Sequence, residues 1–234
     1  NKIAQETNQH QSRVVAAFSD MIAKGVDPAS ALAMLRPIGQ AATAAQADIV
    51  DMAAAAQAGF SKMNIATSGT TKSLDIMAAA GKAGSFEVKD MAQYMDTLTS
   101  KAEALGIQGH RGMASLAAAA QISRRATGDA SAAATNLGNW LDKLNAQVTA
   151  KNFEKFGVDL AALKKEAQAS GDYIAYMAEA IKKITGGDTA KIAQLFPDVQ
   201  AGQFIQRLIL DLEDYKRIGV DAFQAVGTAA RDFN

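Results

Sequence analysis

The chain has 234 residues, of which 49% are hydrophobic but only 6% aromatic, and alanine alone makes up roughly a fifth of them. This length suffices for a sizeable core, but alanine favours helices while burying little area, so we expect close and weakly stabilised helix packing. The 24 basic and 24 acidic residues are mixed along the chain, which argues against direct nucleic-acid binding, and the lack of cysteine excludes disulfides and thiolate metal sites.

The first thirteen residues, NKIAQETNQHQSR, are polar and contain no apolar core of a signal peptide. No later stretch reaches the roughly 18 uninterrupted apolar residues of a membrane span, so we expect a soluble segment. The sequence does not start with Met, and we therefore expect a piece of a longer polypeptide.

The tripeptide Gly-Val-Asp occurs three times in the chain. Glycine ends a helix in the left-handed conformation, and aspartate caps the helix that follows, so each copy predicts a helix stop and restart. The glycines and aspartates predicted to act as hinges and caps are Gly25, Asp27, Gly157, Asp159, Gly219 and Asp221.

Apolar residues recur at alternating steps of three and four, which is the period of an amphipathic helix. Such stripes are Met91, Met95, Leu98, Ala102 and Leu105; Leu137, Trp140, Leu141, Leu144 and Val148; Ile174, Met177, Ile181 and Ile184; and Ile205, Leu208, Ile209 and Leu212. We therefore predict an all-α chain of about ten short to medium helices, in an irregular multihelical bundle or an extended array. The predicted packing anchors are Leu137, Trp140, Leu144, Phe196 and Leu208.

Three regions are predicted from shifts in composition. They are an alanine-rich helical part at 1–60, a helical core at 61–150 and a charged, more aromatic helical part at 151–234. The stretch from Met63 to Leu74 and the residues around Gly186 are predicted to be exposed loops.

The segment from Gly106 to Asp129 reads GIQGHRGMASLAAAAQISRRATGD. It could be either a ligand site or two helices joined by a hinge. We favour the hinge, formed by Gly106 and Gly109, with His110 and Arg111 on an exposed turn. Arg124 and Arg125 then close the next helix, where cations complement the helix dipole.

The sequence offers no catalytic, cofactor or metal constellation. Its two histidines are far apart, and His110 has no second ligand at helical spacing. The acidic run at 211–214 is interleaved with an apolar stripe and is interpreted as a solvated helix face.

The order of features resembles the conserved domain of phage tail tape measure proteins over Met63 to Ile218. A helix ending in EALGI is followed by the turn QGHRG, the helix MASLAAAAQISRR, the helix NLGNWLDKL and the turn at 156–159, FGVD. The stretch KIAQLFPDVQAGQFIQRLI is also similar, although Pro197 stands where glycine is expected and His110 and Arg111 follow Gly109.

This resemblance implies a structural role in the phage tail, where length in residues sets tail length and the protein leaves the tube before the genome. The implied partners are the tail tube protein, tail-tip or baseplate proteins, tail assembly chaperones and further copies of the chain in the lumen. The implied locations are the virion tail and, during assembly, the host cytoplasm. No enzyme activity, cofactor or sequence-specific nucleic acid is implied, and membrane contact is left to the parent protein alone.

Three other classes of protein remain open at this point, and one of them is an enzyme, such as a cell-wall hydrolase fused in the parent chain. An alanine-rich scaffold or signalling bundle would show a long heptad repeat, which the glycines interrupt. A membrane-active or pore-forming helical protein would use small-residue faces in lipid.

Overall fold

The computed structural model describes residues 2–233, and every regular element in that range is helical. The α-helices are α1 Lys2–Glu6, α2 Gln11–Ala23, α3 Pro28–Ala44, α4 Ile49–Lys62, α5 Thr70–Gly81, α6 Val88–Glu103, α7 Gly109–Arg124, α8 Ala130–Lys143, α9 Gln147–Lys155, α10 Leu160–Ala169, α11 Tyr173–Thr185, α12 Thr189–Leu195, α13 Val199–Leu210, α14 Leu212–Gln224 and α15 Thr228–Phe233. The all-α prediction is confirmed. Within residues 2–233 the helices number fifteen rather than about ten, because short ones, such as the 7-residue α12, span too few turns to show a stripe.

Aspartate side chains start many of these helices. In each case a carboxylate oxygen accepts a hydrogen bond from a backbone N–H in the first turn, as Asp27 does from Ser30 N at 3.0 Å. The aspartates in this position are Asp27, Asp48, Asp129, Asp159, Asp172, Asp188 and Asp198. Each one satisfies an amide that the helix itself leaves unpaired and places negative charge at the positive end of the helix dipole.

Glycine followed by an apolar residue ends three helices in the same geometry. Gly25, Gly106 and Gly157 have φ values of +89°, +75° and +74°. The next residue then bonds back across the last turn, as Val26 N does to Met21 O at 3.0 Å and Val158 N to Phe153 O at 3.1 Å. This is the Schellman arrangement, in which glycine is favoured because it takes the left-handed conformation without strain from a Cβ.

Buried apolar side chains form one continuous core that runs from Ala4 to Ala229. Helix α15 packs on α3 and α5, and α14 packs on α5 and α7, so the last helices return to the first third of the chain. The helices therefore share a common interior, as in a multihelical bundle. The division into regions 1–60, 61–150 and 151–234 stays a prediction.

Two local predictions are wrong. The stretch from Met63 to Leu74 is not an open loop, because it contains a 3₁₀ turn at Thr67–Gly69 and the start of α5, and both of its end residues are buried. Val148 does not continue the stripe of Trp140, because α8 ends at Lys143 and Val148 is 55% exposed on α9.

Candidate functional site

Helix α7 lies at the centre of the fold and contacts α5, α6, α8, α11, α13 and α14. All of its residues from Gly112 to Ser123 are buried. A surface helix buries only one stripe, so this helix is surrounded on every side. Its run of four alanines, 117–120, lets the neighbouring helices approach closely.

The start of α7 differs from the predicted exposed turn. Gly109 has a φ of +69° and donates its N–H to Met63 O at 2.6 Å, and the helix begins at this residue. His110 is half-buried in the first turn, with Nε2 3.0 Å from Gly69 O. The predicted turn is therefore wrong for both residues, because tertiary contacts with the preceding loop extend the helix over them, whereas the predicted exposure is correct for Arg111 but not for His110.

The end of α7 is held by an ion-pair cluster at the surface. Arg125 Nη1 lies 2.8 Å from carboxylate oxygens of both Asp211 and Asp214, and Asp211 also pairs with Arg207. Hydrogen bonds to Asp211 and Asp214 raise the pKa of Arg125, and the same bond to Arg125 lowers the pKa of Asp214. Asp211 was predicted to lie on a solvated face, yet its side chain is only 15% exposed, because it joins α13, α14 and α7.

The third Gly-Val-Asp copy does not break a helix, so the predicted hinge at Gly219 and cap at Asp221 are wrong. Helix α14 runs without interruption from Leu212 to Gln224. A Cβ added at Gly219 would lie 3.8 Å from Ala118 Cβ, so this glycine marks the close crossing of α14 over α7. The stripe of buried residues continues through the tripeptide and keeps the chain helical.

Each of the predicted packing anchors is at most 2% exposed. Trp140 contacts Phe204 with ring centroids 5.1 Å apart, and Phe153 meets Phe196 edge to face at 6.0 Å. We call these four aromatic residues the aromatic seam. Leu137, Leu144 and Leu208 lie in the same core.

Two buried polar contacts were not predicted from the sequence. Gln121 bonds both backbone groups of Phe86, accepting from its N–H at 3.1 Å and donating to its carbonyl oxygen. Tyr215 on α14 donates to Asp172, the cap of α11, at 2.8 Å, and burial raises the pKa of its phenol. The sequence signal that indicates such a contact is a polar residue at an apolar position of a helical stripe, as Tyr215 is between Leu212 and Ile218.

Among residues 2–233, no three His, Cys, Asp or Glu side chains are grouped so that they could hold a metal ion. Within the same range, no helix combines the length and the apolar character needed to cross a bilayer. The buried side chains of Gln121 and Tyr215 instead form hydrogen bonds to residues of neighbouring segments.

Comparison with known proteins identifies the family. Residues 1–196 match the family described as phage-related minor tail protein. The chain is also 31% identical over 171 residues to a "Probable tape measure protein" of Burkholderia phage BcepMu, an alignment that covers 73% of this chain and 20% of that protein. This chain thus spans about a fifth of the length of the relative, and no solved structure matches it. On these grounds the chain belongs to the phage-related minor tail protein family.

Proposed function

We propose that this chain is a folded module of a tape measure protein, a structural tail component that helps set tail length during assembly and takes part in genome ejection. The observation that carries the proposal is the 31% identity to the tape measure relative over 73% of this chain. The role needs no catalytic residue, and the module is proposed to be non-enzymatic.

The proposed partners are the tail tube protein, tail-tip or baseplate proteins, assembly chaperones and other copies of the module in the lumen. Equal numbers of acidic and basic residues support a role that does not involve direct binding to the phage DNA. The proposed locations are the virion tail and, earlier, the host cytoplasm.

The folded structure separates two ways in which the module could contribute to tail length. As one continuous helix, its residues would span about 350 Å at a rise of 1.5 Å per residue. As a folded domain of this size, it would be about 45 Å across.

The test is an in-frame deletion of residues 2–233 from the parent gene, followed by measurement of tail length by electron microscopy. We delete the whole module because a deletion of 106–144 would remove α7 from the centre of the core. A shortening near 350 Å supports an extended ruler, and one near 45 Å supports a folded spacer. Unchanged length with lost infectivity restricts the role to ejection, and normal tails with normal infection overturn the proposal.

The matched control keeps the number of residues but destabilises the fold. The substitution Trp140→Ala in the parent leaves the residue count unchanged. An extended ruler then gives tails of normal length, whereas a folded spacer gives tails of altered length.

A further inference from the structure

The segment after α14 returns to the body of the fold. Helix α14 ends at Gln224, Gly227 has a φ of +67°, and α15 packs on α3 and α5. We call residues 225–233 the C-terminal strap. It contributes few buried side chains, Thr228 and Ala229 among them, while Val226 is 72% exposed.

Asp75 on α5 holds the start of α15 from outside that helix. This aspartate is only 3% exposed. Its two carboxylate oxygens accept hydrogen bonds from Gly227 N at 2.7 Å and Ala229 N at 2.9 Å. A buried carboxylate is costly unless it is hydrogen-bonded, so Asp75 depends on the strap as much as the strap depends on it.

Lys72, one turn earlier on α5, holds the end of α14. Its Nζ donates to Ala225 O at 2.7 Å and also to Phe223 O. The Phe223 ring lies near two cations, 5.5 Å from Lys72 Nζ and 4.9 Å from Arg111 Cζ. Helix α5 therefore presents a cation to the negative end of α14 and an anion to the positive end of α15.

The contacts that attach the strap to the rest of the fold contribute unequally. The remaining ion pair, Lys82 to Asp232 at 2.7 Å, is largely solvent-exposed and of the kind that contributes little to stability. Apolar burial by the strap is small. Its attachment thus rests mainly on the polar bonds of Lys72 and Asp75.

We propose that Lys72 and Asp75 latch the C-terminal strap, and that the strap detaches as a unit before the other helices unfold. Detachment widens the groove between α3 and α5 that Ala41, Leu74 and Ala78 line together with Ala229. If the proposed function holds, the strap is where a chain pulled out of the tail begins to unravel.

The first test is hydrogen exchange on the 234-residue chain carrying Asp75→Asn. The amide that replaces the carboxylate turns an N–H₂ group toward a backbone donor, so we expect the amides of Gly227 and Ala229 to exchange about tenfold faster or more. The amides of α7 should exchange through opening of the whole fold, and so more slowly than the strap amides both with and without the substitution. The matched control Asp232→Asn, which removes only the exposed pair, should change strap exchange by less than about twofold.

Two outcomes of this test overturn the proposal. Equal opening free energies for the strap and α7 amides in the unsubstituted chain would show that the strap opens only with the whole fold. Unchanged exchange in the strap would show that Asp75 does not hold it.

The second test is a chain that stops after Gln224, with and without Asp75→Asn, unfolded by urea. Without the strap, Asp75 has lost both hydrogen-bond donors and faces water, so Asp75→Asn should destabilise the full chain and have little effect on the shortened one. An equal effect in both chains, or a shortened chain that does not fold, overturns the latch. Both tests use the chain outside a tail, so their failure leaves the proposed function intact.

Discussion

Helix α7 and the aromatic seam are two solutions to the same packing problem. Around α7, alanines let the neighbouring helices approach closely, and each residue buries little area. In the seam, Trp140 and Phe204 fill the space between α8 and α13 with large rings. Both regions are fully buried, so burial alone does not distinguish them.

The difference predicts opposite sensitivities to substitution. Where large side chains fill the interior, removing atoms leaves a cavity and loses burial. Where small side chains set the spacing, adding atoms forces the helices apart. Substitutions that shrink the seam or enlarge α7 therefore test the comparison directly.

The largest expected effect is in the seam. The substitution Trp140→Ala should lower the free energy of unfolding by about 3–5 kcal/mol, because it removes the ring that packs on Phe204 and leaves a cavity. Urea denaturation followed by circular dichroism measures the loss. The control Trp140→Phe keeps a ring at this position and should cost clearly less, and equal costs for the two variants would argue against a packing role.

The next effect is at the centre of α7. The substitution Ala118→Leu should cost about 1–3 kcal/mol, because the added atoms must enter the space beside Gly219. The same measurement on Ala16→Leu, at an exposed position of α2, should show a change within about 0.5 kcal/mol. Tolerance of leucine at 118 would show that α7 is loosely surrounded.

The smallest effects come from two glycines in identical tripeptides. Alanine at Gly219 should raise stability by about 0.5–1 kcal/mol, since that position is inside a helix and its Cβ would make ordinary contact with Ala118. Alanine at Gly157 should lower stability by about 1–2 kcal/mol, since φ there is +74°.

Thermal melting can measure the stability changes of both glycine variants, because 1 kcal/mol corresponds to a shift of the melting temperature of about 2–4 °C for a chain of this size. Shifts of the same sign in the two variants would contradict the assignment of one glycine to a helix end and the other to a helix interior.

Much of the fold could be predicted from periodic patterns, and the failures have physical causes. Stripes such as Met91, Met95 and Leu98 mark buried faces, because only one side of each helix is apolar. The total burial of α7 could not be predicted, because a run of alanines has no period. The tripeptide alone does not distinguish a helix end from a helix interior, and Gly219 lies in an interior because buried residues continue at helical spacing on both sides of it.

The contacts around the candidate site were harder to predict than the helices. Arg125 meets Asp211 across 86 residues of chain, and Asp75 meets Gly227 across 152. Such pairs depend on how helices cross, which local sequence does not specify. The one local sign was Asp75 itself, an acidic residue within the apolar run Leu74 to Ala80.

The aspartate caps have a consequence for the chain once its tertiary structure is lost. Their bonds join residues two or three positions apart, as between Asp159 and Ala161, and so do not require the core. Starting a helix is the unfavourable step of its formation, because several dihedral angles are fixed for a single hydrogen bond. Each cap lowers the nucleation barrier, so residual helix in the denatured chain should concentrate directly after these aspartates. Refolding then starts at many separate points along the chain.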